Sequence, residues 1–102
     1  MKRLFENIQA NGVAIPLNAY GDRENPLTLT LKNCDIAFSK EHDCAIRGGN
    51  FALVEAENVV FKGISGALVK CYGEMGEIKS NNVTGVERIC DITDELFSSE
   101  SI

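Results

Sequence analysis

The chain has 102 residues, with 10 basic and 15 acidic side chains, one His and a formal net charge of −5. That length supports one hydrophobic core and no second one. The acidic balance excludes a phosphate-gripping surface, since nucleic-acid affinity rests on Lys and Arg. No run approaches the ~18 apolar residues that would span a bilayer as a helix, and MKRLFENIQANG lacks the apolar segment of an export signal. The expectation is a cytoplasmic protein with neither nucleic acid nor membrane as a partner.

In chain order, residues 1 to 18 hold Leu4, Phe5 and Ile8. Val13, Ile15 and Leu17 then alternate with Ala14 and Pro16, which predicts a half-buried strand that Pro16 marks as terminal or edge. AYGDRENP, from Ala19 to Pro26, predicts a loop. From Leu27 to Phe38, LTLTLKNCDIAF alternates strictly and is the cleanest strand signal in the chain. A polar stretch from Ser39 to Asp43 precedes a short strand from Cys44 to Arg47, and Gly48, Gly49 and Asn50 turn the chain. FALVEAENVVFKGI, residues 51 to 64, repeats the pattern; Ser65-Gly66 interrupts it before Ala67 to Tyr72, and Gly73 and Gly76 bracket another turn. Ile78 to Val86 is a further copy, followed by Ile89 to Ile92. Thr93 to Ile102 differs in composition and is expected to be a cap or frayed tail, with a short helix starting at Thr93 or Asp94 and Phe97 as a plug.

Asn followed by Ile, Cys or Val occurs at Asn7, Asn33, Asn58 and Asn82, a spacing of roughly 25 residues that signals a repeat architecture. Superposed on these Asn residues, Leu29, Val54 and Ile78 form one column, Leu31, Ala56 and Ser80 a second, and Ile8, Cys34, Val59 and Val83 a third. All three are expected to face inward. Thr30, Glu55 and Lys79 form an outward column, stacked ~4.8 Å apart. The Asn residues themselves are expected at an inward bend, where their amides form a ladder that satisfies buried backbone groups. Antiparallel hairpins are disfavoured because Asn11-Gly12 is the only two-residue hairpin signal. The resulting fold expectation is all-β: a short, single-domain parallel β-helix of about four coils over residues 1 to 92, with 93 to 102 as the end segment.

Cys34, Cys44, Cys71 and Cys90 contain no closely spaced pair of the kind structural zinc sites use, and are read as reduced thiols packed as small hydrophobes. No metal or cofactor is expected. His42 and Asp43 adjoin, but neighbours in an extended segment point opposite ways and need not meet. Asp43, Arg47, Lys70 and Tyr72 are the candidate ligand-binding residues, because Arg47 and Lys70 occupy comparable places in successive coils and with Tyr72 suit a small sugar or anion.

The rhythm of LTLKNCDIAF, EHDCAIRGG, AENVVFKGISG and SNNVTGV resembles the right-handed parallel β-helices of the pectin-lyase-like superfamily, most closely the polygalacturonase type of glycoside hydrolase, over about residues 3 to 92. That family carries an Asn-Thr-Asp motif, an Asp-Asp pair, a Gly-His-Gly motif and an Arg-x-Lys motif. At the matching places stand Gln9-Ala10-Asn11, His42-Asp43 followed by Cys44, and Ser65-Gly66-Ala67, and no Arg-x-Lys follows. Glycoside hydrolysis uses two carboxylates about the scissile bond. Only Asp43 is left of the pair, so the resemblance implies the fold without the catalytic residues, and none is assigned. The expected role is a non-catalytic interaction or assembly module, a homo-oligomer joined through coil ends or sides. The alternative is a small carbohydrate-binding or carbohydrate-active protein.

Overall fold

The computed structural model describes residues 1–93. Every regular element among them is a strand: β1 (Lys2–Glu6), β2 (Gln9–Val13), β3 (Leu17–Tyr20), β4 (Leu27–Gly49), β5 (Phe51–Tyr72), β6 (Met75–Thr84) and β7 (Arg88–Thr93). All pairings are parallel. β1, β2 and β3 lie in turn along β4, β4 lies along β5, and β6 and β7 lie in turn along β5. The chain is therefore a β-solenoid of four coils, and the long strands β4 and β5 are each one circuit bent at corners.

The register follows the repeat residue by residue. Thr30 pairs with Glu55 and Glu55 with Lys79; Leu29 pairs with Val54 and Val54 with Ile78. The inward columns supply the core, and Leu29, Leu31, Val54, Ala56, Cys34 and Val59 are buried. At the C-terminal end the same columns are less covered: Ile78 and Val83 are half-buried and Ser80 is exposed, because no coil of the described residues lies beyond them. At the other end Ile8 is exposed for the same reason. A side chain in a solenoid is buried by the coils above and below it, so column membership yields full burial only in the middle coils.

Several details differ from the sequence reading; Gly48 and Gly49, expected in a turn, end β4, and Gly76, expected to bracket one, lies in β6. Pro16 splits the expected strand from Val13 to Leu17, since β2 ends at Val13 and β3 starts at Leu17. Pro offers no N–H to a ladder. Ala19 and Tyr20, assigned to the loop, close β3 by pairing with Gly48 and Gly49. The loop proper starts at Gly21 and is tied by reciprocal backbone hydrogen bonds between Asp22 and Asn25. Ser65-Gly66 lies inside the strand run of β5 but the ladder shifts register there, His42 pairing with Ile64 and Cys44 with Ala67. Gly66 is buried where a Cβ would run into the Asp43 carbonyl of the preceding coil, so its missing side chain permits close approach of two backbones. The polar stretch from Ser39 to Asp43 is also strand, within a register irregularity between Ala37 and His42.

Thr93 is the last residue of β7. The expected end cap otherwise falls on residues 94–102, outside the described residues. Cys34, Cys44 and Cys71 are free and buried, and Cys90 is free and half-buried. No helix among the described residues is long and apolar enough to cross a membrane.

Candidate functional site: a charged strip, an asparagine ladder and an open end

The strip begins with register. Ile46 pairs with Val69 and points inward, so the next residues, Arg47 and Lys70, pair and point outward. Lys70 pairs in turn with Asp91 of the last coil. Asp43, four residues before Arg47, reaches both cations: its Oδ2 accepts a 3.0 Å hydrogen bond from Lys70 Nζ, and its Oδ1 lies 3.7 Å from the Arg47 guanidinium. Lys70 Nζ also lies 5.9 Å from the centre of the Tyr72 ring. The structure thus brings Asp43, Arg47, Lys70 and Tyr72 together.

Two further members were not singled out from sequence. Arg88 Nε and a terminal guanidinium nitrogen each donate a 2.8 Å hydrogen bond to Asp91, one to either carboxylate oxygen. The available signal was the column that carries Arg47 and Lys70 on to Asp91; the short last coil, with little alternation around Glu87 and Arg88, obscured it.

Both carboxylates of this strip are engaged by its cations. The Lys70 hydrogen bond holds the Asp43 carboxyl below its ordinary value, and the Arg88 hydrogen bond does the same for Asp91. The hydrogen bond to Asp43 raises the pKa of Lys70. Both carboxylates are therefore kept ionised. A glycosidase pair needs one carboxyl with a raised pKa to protonate the leaving group, and neither Asp43 nor Asp91 meets that need. Tyr72 is only 4% exposed, so its ring does not offer a sugar a face on which to stack. His42 and Asp43 diverge. The His42 Nε2 lies 3.0 Å from the Ala14 carbonyl oxygen and the ring meets Phe38 edge-on, with centroids 5.5 Å apart, while Asp43 faces the cations. Among the described residues, no group of three or more His, Cys, Asp or Glu is placed to hold a metal.

The four repeat Asn residues share one corner. Their φ values are 57° at Asn7, 54° at Asn33, 54° at Asn58 and 56° at Asn82. Asn tolerates this left-handed conformation better than most residues because its short amide bonds locally. Asn33 Nδ2 donates to Asn7 Oδ1 at 3.3 Å, Asn58 Nδ2 to Asn33 Oδ1 at 3.2 Å, and Asn82 Nδ2 to Asn58 Oδ1 at 2.8 Å. The links span 26, 25 and 24 residues. The corner points outward: all four side chains are exposed, in contrast to the inward bend expected from sequence. Asn50, with φ 57°, forms a second corner, donating to the Gly21 carbonyl at 3.2 Å and accepting from the Glu74 N–H at 3.4 Å.

The first coil leaves the lumen open. A cavity of about 390 Å³ is lined by Phe5, Ile8, Val13, Ile15 and Leu17 of that coil, with Phe38 among the residues beneath. Leu4 and Ile15 are 60% and 61% exposed, and Ile92 of the last coil is 66% exposed. The exposure of Ile15 and Ile92 follows from their place at an end, while Leu4 lies in the outward column of Thr30 and Glu55. Comparison with protein-family models, curated proteins and solved structures returns no match for this chain.

Proposed function

We propose that this chain is a non-catalytic β-helix module whose role is interaction and assembly, and that its partners include further copies of itself met through the coil ends. The observation that carries this reading is the open apolar mouth of the first coil, about 390 Å³. Solenoids need their terminal coils covered, because an end presents apolar side chains and unpaired backbone N–H and C=O groups together. A charged strip whose two carboxylates are already engaged offers less binding energy to an outside ligand than that uncovered end does.

A cytoplasmic setting goes with this reading, supported by four unbridged cysteines, since that compartment keeps thiols reduced. Descent from the pectin-lyase-like group, with its catalytic carboxylates lost, is the accompanying evolutionary reading and rests on the repeat rhythm. Light scattering across a concentration series tests the assembly role. Mass is expected to rise with concentration, and a constant monomer mass refutes it.

Carbohydrate binding is the second reading, favoured by the adjacency of the exposed Asp43 carboxylate and Lys70. A glycan array probed with the wild type and Asp43→Asn decides it: binding that depends on Asp43 supports a carbohydrate-binding protein, and no binding leaves assembly as the function.

A further inference from the structure

We infer that the assembly partner is a second copy stacked head to tail, with the β1 edge of one copy laid in register against the β6 edge of the next so that the solenoid continues across the junction. This deepens the assembly reading and rests on it. The first argument is the polarity of the Asn ladder. Each link donates from Nδ2 toward the N-terminal side, which leaves Asn7 Nδ2 at one end and Asn82 Oδ1 at the other outside the ladder's bonds. The free donor of one copy thus complements the free acceptor of the next.

The second argument is the columns themselves. Lys2 pairs with Thr28, Thr28 with Leu53 and Leu53 with Glu77, so extending the column by one coil sets Glu77 beside Lys2 of the following copy. Leu4, Thr30, Glu55 and Lys79 form the neighbouring column. Its extension lays the aliphatic stem of Lys79 over Leu4 and leaves the ammonium in water. Val83 meets Ile8, and Cys90 and Ile92 of β7 meet Leu17 and Ala19 of β3. Across the junction these columns thus give one unlike-charge pair, apolar contacts, and the Lys79 stem over Leu4. Arg3 opposes the contact. It pairs with Leu29 in an inward column, so its extension would meet Ile78. An inward charge on an edge strand is a device that limits stacking, and it sets the association to be weak and reversible. Because the two surfaces differ, the contact is heterologous and propagates into an open filament.

Two readouts test the register. Leu4→Cys and Lys79→Cys are made in separate preparations, both at exposed outward positions, and treated with a short bis-maleimide. The mixture is expected to give crosslinked dimer while each variant alone, and the wild type, do not. Lys2→Glu is expected to weaken association about threefold, the scale of an exposed ion pair, and Glu77→Lys in the same chain to restore it. If Leu4→Cys alone crosslinks to itself, the contact is head to head and this register is wrong while assembly stands. Assembly with no crosslink in the mixture overturns the register in the same way. A monomer mass at every concentration overturns both the register and the assembly reading.

Discussion

Replacing Asn58 isolates what the ladder contributes. Asn58 is the only member, besides Asn33, with a ladder bond on both sides: it donates to Asn33 at 3.2 Å and accepts from Asn82 at 2.8 Å. Both bonds are exposed, so each is worth about 0.5 kcal/mol, at the low end for a net hydrogen bond. The φ of 54° adds a second term, because Ala in the left-handed region costs about 1.5 kcal/mol. Asn58→Ala should therefore lose about 2.5 kcal/mol. Asn58→Gly loses the same two bonds without the steric term and gains instead an unfolded-state entropy cost of about 0.5 kcal/mol, for a loss of about 1.5 kcal/mol. The order of the two variants separates this account from one in which Asn58 is a buried group needing satisfaction, where Gly is at least as damaging as Ala. Urea unfolding followed by far-UV circular dichroism, at a concentration where the chain is monomeric, measures both. An Ala variant as stable as wild type, or a Gly variant less stable than Ala, refutes the reasoning.

The column assignment is checked by Leu29→Ala, which empties a fully buried site and should cost about 3 kcal/mol, against Thr30→Ala one position along, which should cost less than about 0.5 kcal/mol in the same urea experiment. Asp43 has a lowered folded-state pKa, so its contribution is complete above the ordinary value of 3.8 and fades as pH falls through the lower folded value. Asp43→Asn should therefore differ from wild type by about 0.5 kcal/mol at pH 7, allowing for solvent screening, and converge with it in acid; a difference that grows on acidification contradicts the pairing. Burial pushes the Cys71 thiol up to about 11 and raises Cys44 and Cys90 too. Iodoacetamide on the native protein should then label slowly, with half-buried Cys90 first, and label all four cysteines once the chain is unfolded; mass spectrometry showing equal native labelling of the four contradicts the burial.

Much of the architecture was legible because a solenoid repeats. The Asn-apolar pair and the alternation around it, as in LVEAENVVF, specify which residues stack, and stacking in parallel register is a one-dimensional problem that spacing alone can solve. The charged strip was half legible. Arg47 and Lys70 were found through their equivalent places, while Arg88 and Asp91 sit in a short last coil whose pattern is too brief to read. Ser65-Gly66 shows both uses of glycine at once: the ladder shifts register there, and Gly66 lets the backbone approach the Asp43 carbonyl of the preceding coil, which only the structure reveals.

For this chain, then, sequence by itself determined the coil period, the inward and outward columns and the identity of the corner residue, all consequences of side-chain alternation and a repeated Asn. Tertiary structure alone decided that the Asn corner faces outward, because the same left-handed φ occurs at the exposed ladder residues and at half-buried Asn50, so only the path of the flanking strands sets which way the side chain points. It also decided which apolar columns end uncovered. Ile15 and Ile92 are exposed by lying in terminal coils, a property of stacking that no local pattern encodes, whereas Leu4 is exposed because its column, with Thr30 and Glu55, faces outward.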